Sequence, residues 1–158
     1  MMDNKIKSYL TFKIGNENFG ANVSHVQNII EYSKLTRVPE MPSFVLGVLN
    51  LRGDVLPVID SRIKLGVPAS EITDRTCIIV VEMFQNGNMC KTGFLVDEVS
   101  EVLEINEQDI MSPPLVGKTL REDVITGLFP IDNKFIMLLD ITRILEANDI
   151  IDIAIATE

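Results

Sequence analysis

Apolar and polar residues alternate along this chain in short runs set off by turn-forming residues. In Tyr9–Ile14, Leu10, Phe12 and Ile14 fall on one face and Tyr9, Thr11 and Lys13 on the other, the period-two signature of a strand. Gly15-Asn16-Glu17-Asn18 then turns the chain into Phe19–Val23. A second hairpin is expected where Gly53-Asp54 separates Val48–Leu51 from Val55–Ile59. A third joins Thr76–Phe84 to Met89–Val96 around Asn86-Gly87-Asn88, and a fourth joins Ile125–Ile131 to Phe135–Leu139 through Asp132-Asn133. Short β-branched runs at such spacing predict small barrels or a sandwich.

Two segments break the rhythm. Asp60–Leu65 ends at Gly66, and Asp140–Glu146 runs on toward Asn148. Each opens on an Asp able to accept from orphan backbone N–H groups, and Gly66 suits a left-handed cap, so two short helices are expected. Pro68 to Asp74 and Met111–Asp123 read as loops.

An internal repeat emerges from these elements. Val55-Leu56-Pro57-Val58-Ile59-Asp60 lines up with Phe135-Ile136-Met137-Leu138-Leu139-Asp140, eighty residues later. Gly20-x-x-Val23-x-x-Val26-x-x-Ile29 lines up with Gly93-x-x-Val96-x-x-Val99-x-x-Val102. Each copy runs strand, turn, strand beginning near Gly, hydrophobic turn, hairpin, capped helix. Halves of roughly 70 residues are marginal alone, so two similar small β-barrels packed side by side on a shared core are expected.

Composition narrows the function. The 158 residues are 46 % hydrophobic and 23 % charged, with a formal net charge of −9, which disfavours nucleic acid and anionic lipid as partners. The chain opens without a secretory pattern, and its apolar runs, such as Cys77–Val81 and Phe135–Leu139, fall far short of the ~20 residues that span a bilayer. A cytoplasmic protein with reduced thiols is expected. Asn22-Val23-Ser24 is then a chance sequon. Counting outward from Gly87 sets Cys90 opposite Phe84 rather than Cys77, which argues against a disulfide.

Catalytic patterns are largely missing. Val116-Gly117-Lys118-Thr119 looks like the end of a P-loop, but Ser112 stands where the first glycine is required, and Pro113 and Pro114 remove two backbone donors. His25 is the only imidazole, with no nucleophile or orienting acid specified beside it. Asp97 with Glu98, and Glu122 with Asp123, are adjacent in sequence and would point to opposite faces of a strand. With one His and two Cys no structural zinc site is expected, and no cofactor is implied. A surface for proteins remains. Arg52, at a hairpin corner in Asn50-Leu51-Arg52-Gly53, could offer a guanidinium fork to a partner's carboxylate or backbone. Val26, Ile29 and Ile30 read first as core, and Met41 as a soft contact or a gap filler.

These residues resemble a known family. Tyr9-Leu10-Thr11-Phe12-x-Ile14-Gly15, Phe19-Gly20 and Val26-Gln27-x-Ile29 look like the opening of the CheW adaptors of bacterial chemotaxis. Arg37-Val38-Pro39, Pro42, Gly47-Val48-x-Asn50-Leu51-Arg52-Gly53 and Leu56-Pro57-Val58-Ile59-Asp60-x-Arg62 resemble its most distinctive stretch. Val96-Asp97-x-Val99-Ser100-x-Val102-Leu103, Ile125-Thr126-Gly127-Leu128 and Leu139-Asp140-Ile141 continue the likeness, which runs from about Lys7 to Leu145.

The resemblance implies a mainly β fold of two SH3-like five-stranded β-barrel subdomains sharing a core, with short helices, over residues 7–146, followed by a tail at 147–158. It implies a non-catalytic protein joining the cytoplasmic tips of methyl-accepting chemoreceptors to the histidine kinase CheA, recruited to membrane receptor arrays without entering the bilayer. Receptor helices would dock in a groove between the barrels. The regulatory domain of CheA, itself CheW-like, would bind other barrel surfaces. Val26, Gly47, Arg52, Gly53 and Val99 match positions tied to the receptor groove or its support. Asn28 stands at a further such position and departs from the pattern, because many members carry Glu there. Edge strands and apolar groove walls are the expected contacts. A paralogue serving another receptor–kinase array, such as pilus-driven motility, carries the same residues. A small enzyme using His25 or a carboxylate pair is the reading from a different class.

Overall fold

In the computed structural model the described residues are 5–68, 70–85, 88–113 and 124–145. Ten strands carry the fold: β1 (Ile6–Ile14), β2 (Glu17–Asn22), β3 (Val26–Glu31), β4 (Val45–Leu51), β5 (Asp54–Asp60), β6 (Cys77–Gln85), β7 (Asn88–Val96), β8 (Glu98–Asn106), β9 (Ile125–Ile131) and β10 (Lys134–Leu139). The helix α1 (Ser61–Leu65) follows β5, and single 3₁₀ turns occupy Val23–His25, Glu107–Asp109 and Ile141–Arg143.

Two five-stranded sheets form, in the orders β8-β1-β2-β10-β9 and β3-β6-β7-β5-β4. Among the described strands only the pairs β2–β10 and β5–β7 run parallel. The sequence repeat relates β1 to β6, β2 to β7, and so on to β5 and β10, and under that relation the two strand orders are the same. The repeats and the sheets nevertheless do not coincide. The first sheet takes β1 and β2 from the first half and β8, β9 and β10 from the second; the other sheet takes the complementary set. Each half therefore donates strands to both sheets.

Each sheet is drawn into a barrel by one residue pair beyond its end strand. Thr36, after β3, exchanges two backbone hydrogen bonds with Val48 of β4 at 3.0 and 2.8 Å. Met111, after β8, does the same with Leu128 of β9, both at 2.8 Å. Close approach there requires a residue without a side chain. A Cβ on Gly47 would lie 2.7 Å from the Thr36 carbonyl oxygen, and one on Gly127 would run into the Ile110 side chain.

Strand alternation sorts the apolar residues into three layers. In β6, Ile78 and Val80 fill the interior of the second barrel with Leu56, Val58 and Leu95. Ile79 and Val81 point the other way, into a layer shared by both sheets with Leu10, Phe12, Phe19, Phe94 and Leu139. Tyr9, Ile105, Ile136 and Leu138 fill the first barrel. Burial on both faces explains the unbroken apolar runs that hide the two-residue period.

Some expectations are corrected. The second hairpin turns at Arg52-Gly53 rather than Gly53-Asp54, since Leu51 pairs with Asp54. Cys90 faces Met83, one residue away from the expected Phe84, because Asn88 joins the ladder opposite Gln85; Cys77 faces Val96, and both thiols are free. Residues 86–87 of that turn, residues 114–123, which hold the P-loop-like stretch and the Glu122–Asp123 pair, and residues 146–158 lie outside the described residues. The stretches read as hydrophobic turns are strands β3 and β8. Val26 and Ile29, and Val99 and Val102, stand three apart because each strand carries a bulge, between Val26 and Asn28 in β3 and opposite Leu10–Phe12 in β8. The second capped segment forms one 3₁₀ turn.

Candidate docking surface

The hairpin β4–β5 displays Arg52. A two-residue turn between twisted strands needs positive φ at both central residues, and Arg52 and Gly53 have φ 52° and 90°. The Asn50 Oδ1 accepts from the Gly53 N–H at 2.9 Å and fixes the turn. The same turn in the other barrel uses Asp132 and Asn133, with φ 46° and 63°, residues that tolerate the left-handed region. An arginine does not, and its Cβ crowds the backbone there. Arg52 is exposed, with no ion pair to a described residue.

Strands β3 and β4 are the two ends of the second sheet, so closure of that barrel brings the candidate residues Val26, Asn28, Gly47, Arg52 and Gly53 onto one sheet. Gly47 is buried and serves the closure itself rather than a contact. Val26 is half-buried against the shared core, and Asn28 is exposed, its Oδ1 accepting from the Ile29 N–H at 2.9 Å. Val99 lies on β8, an end strand of the first sheet, and packs against the same shared core. At the bulge in β8 the buried Thr11 hydroxyl accepts from the Glu101 N–H at 3.1 Å and donates to the Glu101 carbonyl at 2.8 Å. In β3 the bulge uses Asn28's own side chain instead.

Some surface residues were missed in the sequence. Ile29 and Val102 occupy matching places on β3 and β8 and are 41 % and 53 % exposed; Val55 and Phe135 match each other on β5 and β10 and are 65 % and 50 % exposed. The repeat could have found them, since each pair coincides in the alignment of the halves. Ile30 packs against the second barrel's interior and Met41 against the shared core, so both are packing residues.

The residues of the enzyme alternative do not assemble. His25 borders a cleft of about 480 Å³ with Lys7, Tyr9, Asn22, Glu107 and Asp140, but its Nδ1 is buried without a hydrogen-bond partner. Asp97 accepts from the Gly15 N–H at 2.5 Å and from the Ser70 hydroxyl at 2.7 Å, whereas Glu98 turns to Arg75 at 3.4 Å. Among the described residues no cluster of His, Cys, Asp and Glu could hold a metal ion, and no helix is long and apolar enough to cross a membrane.

A paired set of barrels that holds an arginine in a strained, exposed turn, with Asp97 and Glu98 engaged in backbone and ion-pair contacts, has the form of a scaffold for binding other proteins. Comparison with known sequences gives that scaffold a family. A sequence model described as the CheW-like domain matches residues 8–149, and the chain belongs to that family. It is 33 % identical to the chemotaxis protein CheW of Klebsiella aerogenes over 143 residues, covering 90 % of this chain and 84 % of that one. It is 31 % identical to CheW of Bacillus subtilis, covering 87 % and 85 %. The crystal structure of the scaffolding protein TtCheW from Thermoanaerobacter tengcongensis superimposes with a TM-score of 0.78 at 30 % identity, covering 92 % of this chain and 96 % of that one. The protein is a non-catalytic adaptor of chemotaxis signalling.

Proposed function

We propose that this adaptor joins the cytoplasmic tips of chemoreceptors to the regulatory domain of a CheA-type histidine kinase, and that receptor helices dock beside the β4–β5 turn. Residues 7–146 form the working unit, held at receptor arrays on the cytoplasmic side of the membrane. Arg52 offers its guanidinium fork to a receptor carboxylate or helix-end carbonyl. Val26 and Val99 supply apolar wall, Asn28 a polar contact, and Gly47 and Gly53 support the turn and the closure that present Arg52. The observation that carries this reading is Arg52 at φ 52° where the matching turn uses Asp132 and Asn133. Backbone strain kept at an exposed charge points to a task for that charge.

Such an adaptor works through geometry. It biases the kinase only if its contacts differ in free energy between the kinase's states; equal affinity for both would shift nothing. The test is co-sedimentation of purified protein and kinase with receptor-bearing membranes. Arg52→Ala is expected to stay folded and to lose receptor-dependent sedimentation, and His25→Ala to behave as wild type. Full recruitment of Arg52→Ala would refute the assignment.

A further inference from the structure

The two halves give an internal control for one buried charge. At the end of β5, Asp60 accepts from the Arg62 N–H at 3.0 Å and starts α1; at the end of β10, Asp140 accepts from the Thr142 N–H at 3.2 Å and starts a 3₁₀ turn. Thr142 matches Arg62, and its hydroxyl donates to the same Asp140 oxygen at 2.5 Å. The other Asp140 oxygen pairs with the exposed Arg143 at 3.4 Å, so this cap is completed without any contact beyond its own turn. Arg62 does more. Its Nε and Nη2 donate to the two Asp60 oxygens at 2.8 and 3.1 Å, and Nη1 donates to the Ser70 carbonyl at 2.6 Å.

From Ser70 the contacts cross to the other barrel. The Ser70 hydroxyl donates to Asp97, which sits where the chain leaves β7 of one sheet for β8 of the other. Asp97 also accepts from the Gly15 N–H, and its own N–H donates to the Lys13 carbonyl at 2.9 Å, both on the opposite barrel. Val67, on the connection that carries Ser70, comes so close to Gly15 that a Cβ there would lie 2.8 Å from it. A cleft of about 520 Å³ runs along this line, with Lys13, Gly15, Ser70 and Asp97 in its wall.

We propose that Arg62 is a positioning residue: through Ser70 and Asp97 it straps the connection after α1 across the junction of the barrels and fixes the angle between them. This rests on the adaptor reading, in which a receptor docked against Val26 on one sheet and Val99 on the other acts on the kinase through that angle. A merely structural cap needs no contact like the one from Arg62 to Ser70, since Asp140 is capped by Thr142 and Arg143 of its own turn.

The test measures the angle and the coupling separately. Spin labels are placed at Cys90 on one barrel and at an introduced Lys134→Cys on the other, in a Cys77→Ser background, and distance distributions are compared by pulsed electron resonance. Arg62→Met and Ser70→Ala are expected to broaden the distribution and to speed amide exchange around Ser70 by about tenfold or more, with β-sheet circular dichroism unchanged. Affinity for the kinase alone stays at the wild-type value, while receptor control of the kinase in the three-component complex falls roughly tenfold. Arg62→Lys keeps one contact to Asp60 without the fork and falls between. If Arg62→Met does not fold, Ser70→Ala, which leaves the buried pair intact, carries the test alone. A wild-type distance distribution in the folded variants, or a broadened one with undiminished coupling, overturns the proposal. Failure of the wild-type protein to bind either partner would instead sink the adaptor reading and leave the strap to the distance measurement.

Discussion

Replacing Arg52 with Asn should change stability and binding in opposite directions. A non-glycine residue in the left-handed region carries roughly 1–2 kcal/mol of steric cost, which Asn largely escapes through its short polar side chain. The turn is otherwise unchanged, because the Asn50–Gly53 hydrogen bond that closes it does not involve the Arg52 side chain. Arg52→Asn is therefore expected to stabilise the fold by about 1 kcal/mol, raising the melting temperature of a domain of this size by about 3 °C. In the same variant the loss of charge-assisted hydrogen bonds to a partner, worth ~1.5–3 kcal/mol, should weaken receptor binding by about 10- to 150-fold. Thermal denaturation by circular dichroism and titration against a receptor-tip fragment read the two effects on one preparation. Two controls separate the causes. Arg52→Ala retains the strained backbone, so it should lose binding without the gain in stability. Asp132→Arg places the strained residue in the other barrel's turn and should destabilise by about 1 kcal/mol. An Arg52→Asn variant that is less stable than wild type yet binds normally would refute the reasoning, because the arginine would then be serving its own turn.

Gly47→Ala should push against the Thr36 carbonyl and Gly127→Ala against Ile110, each costing about 1–3 kcal/mol in urea denaturation; unchanged midpoints would show that the closing pairs yield freely. Iodoacetamide should modify exposed Cys90 well before Cys77, whose thiol burial pushes above its ordinary range and which donates to the Arg75 carbonyl. Mass spectrometry of the two peptides over time decides this. Burial also raises the Tyr9 phenol above its ordinary 10.0. The folded state thus binds the phenolic proton more tightly than the unfolded one, so this contribution is intact below the unfolded value and is lost as pH rises through the folded value. In a Cys77→Ser background Tyr9→Phe should flatten the alkaline fall in melting temperature, and an identical slope would remove Tyr9 from the account.

The four hairpins were legible because each pairs strand-forming runs across a turn whose residue types force a reversal. Asp60 and Gly66 marked α1 for the same kind of local reason, as φ 72° at Gly66 bears out. The strands β3 and β8 were not legible. A 3₁₀ turn separates Val23 from Val26 and a bulge adds a residue between Val26 and Ile29, so the three fall at threes and the alternation of a strand is lost. The exchange of strands between halves was equally hidden, because each hairpin is local while the choice of neighbour for β2 or β5 depends on which apolar faces meet. Of the candidate site, Arg52 was found by its setting in the sequence, whereas its strained φ and the matching Asp132 needed coordinates. Arg62 looked like part of a helix end. Its fork on both Asp60 oxygens and the direction of its Nη1 toward Ser70 separate it from Thr142.

The trading of strands between the repeats has a consequence during synthesis. Strands β3 to β7 follow one another along the chain, so the barrel they build can assemble on the ribosome as soon as Val96 has emerged. The other barrel includes β1 and β2, which leave the tunnel before any of these, yet Phe19 must wait for Met137 of β10 before β2 has both its neighbours. Its apolar faces remain open until β10 has emerged, and that is the interval in which the nascent chain has most need of a chaperone.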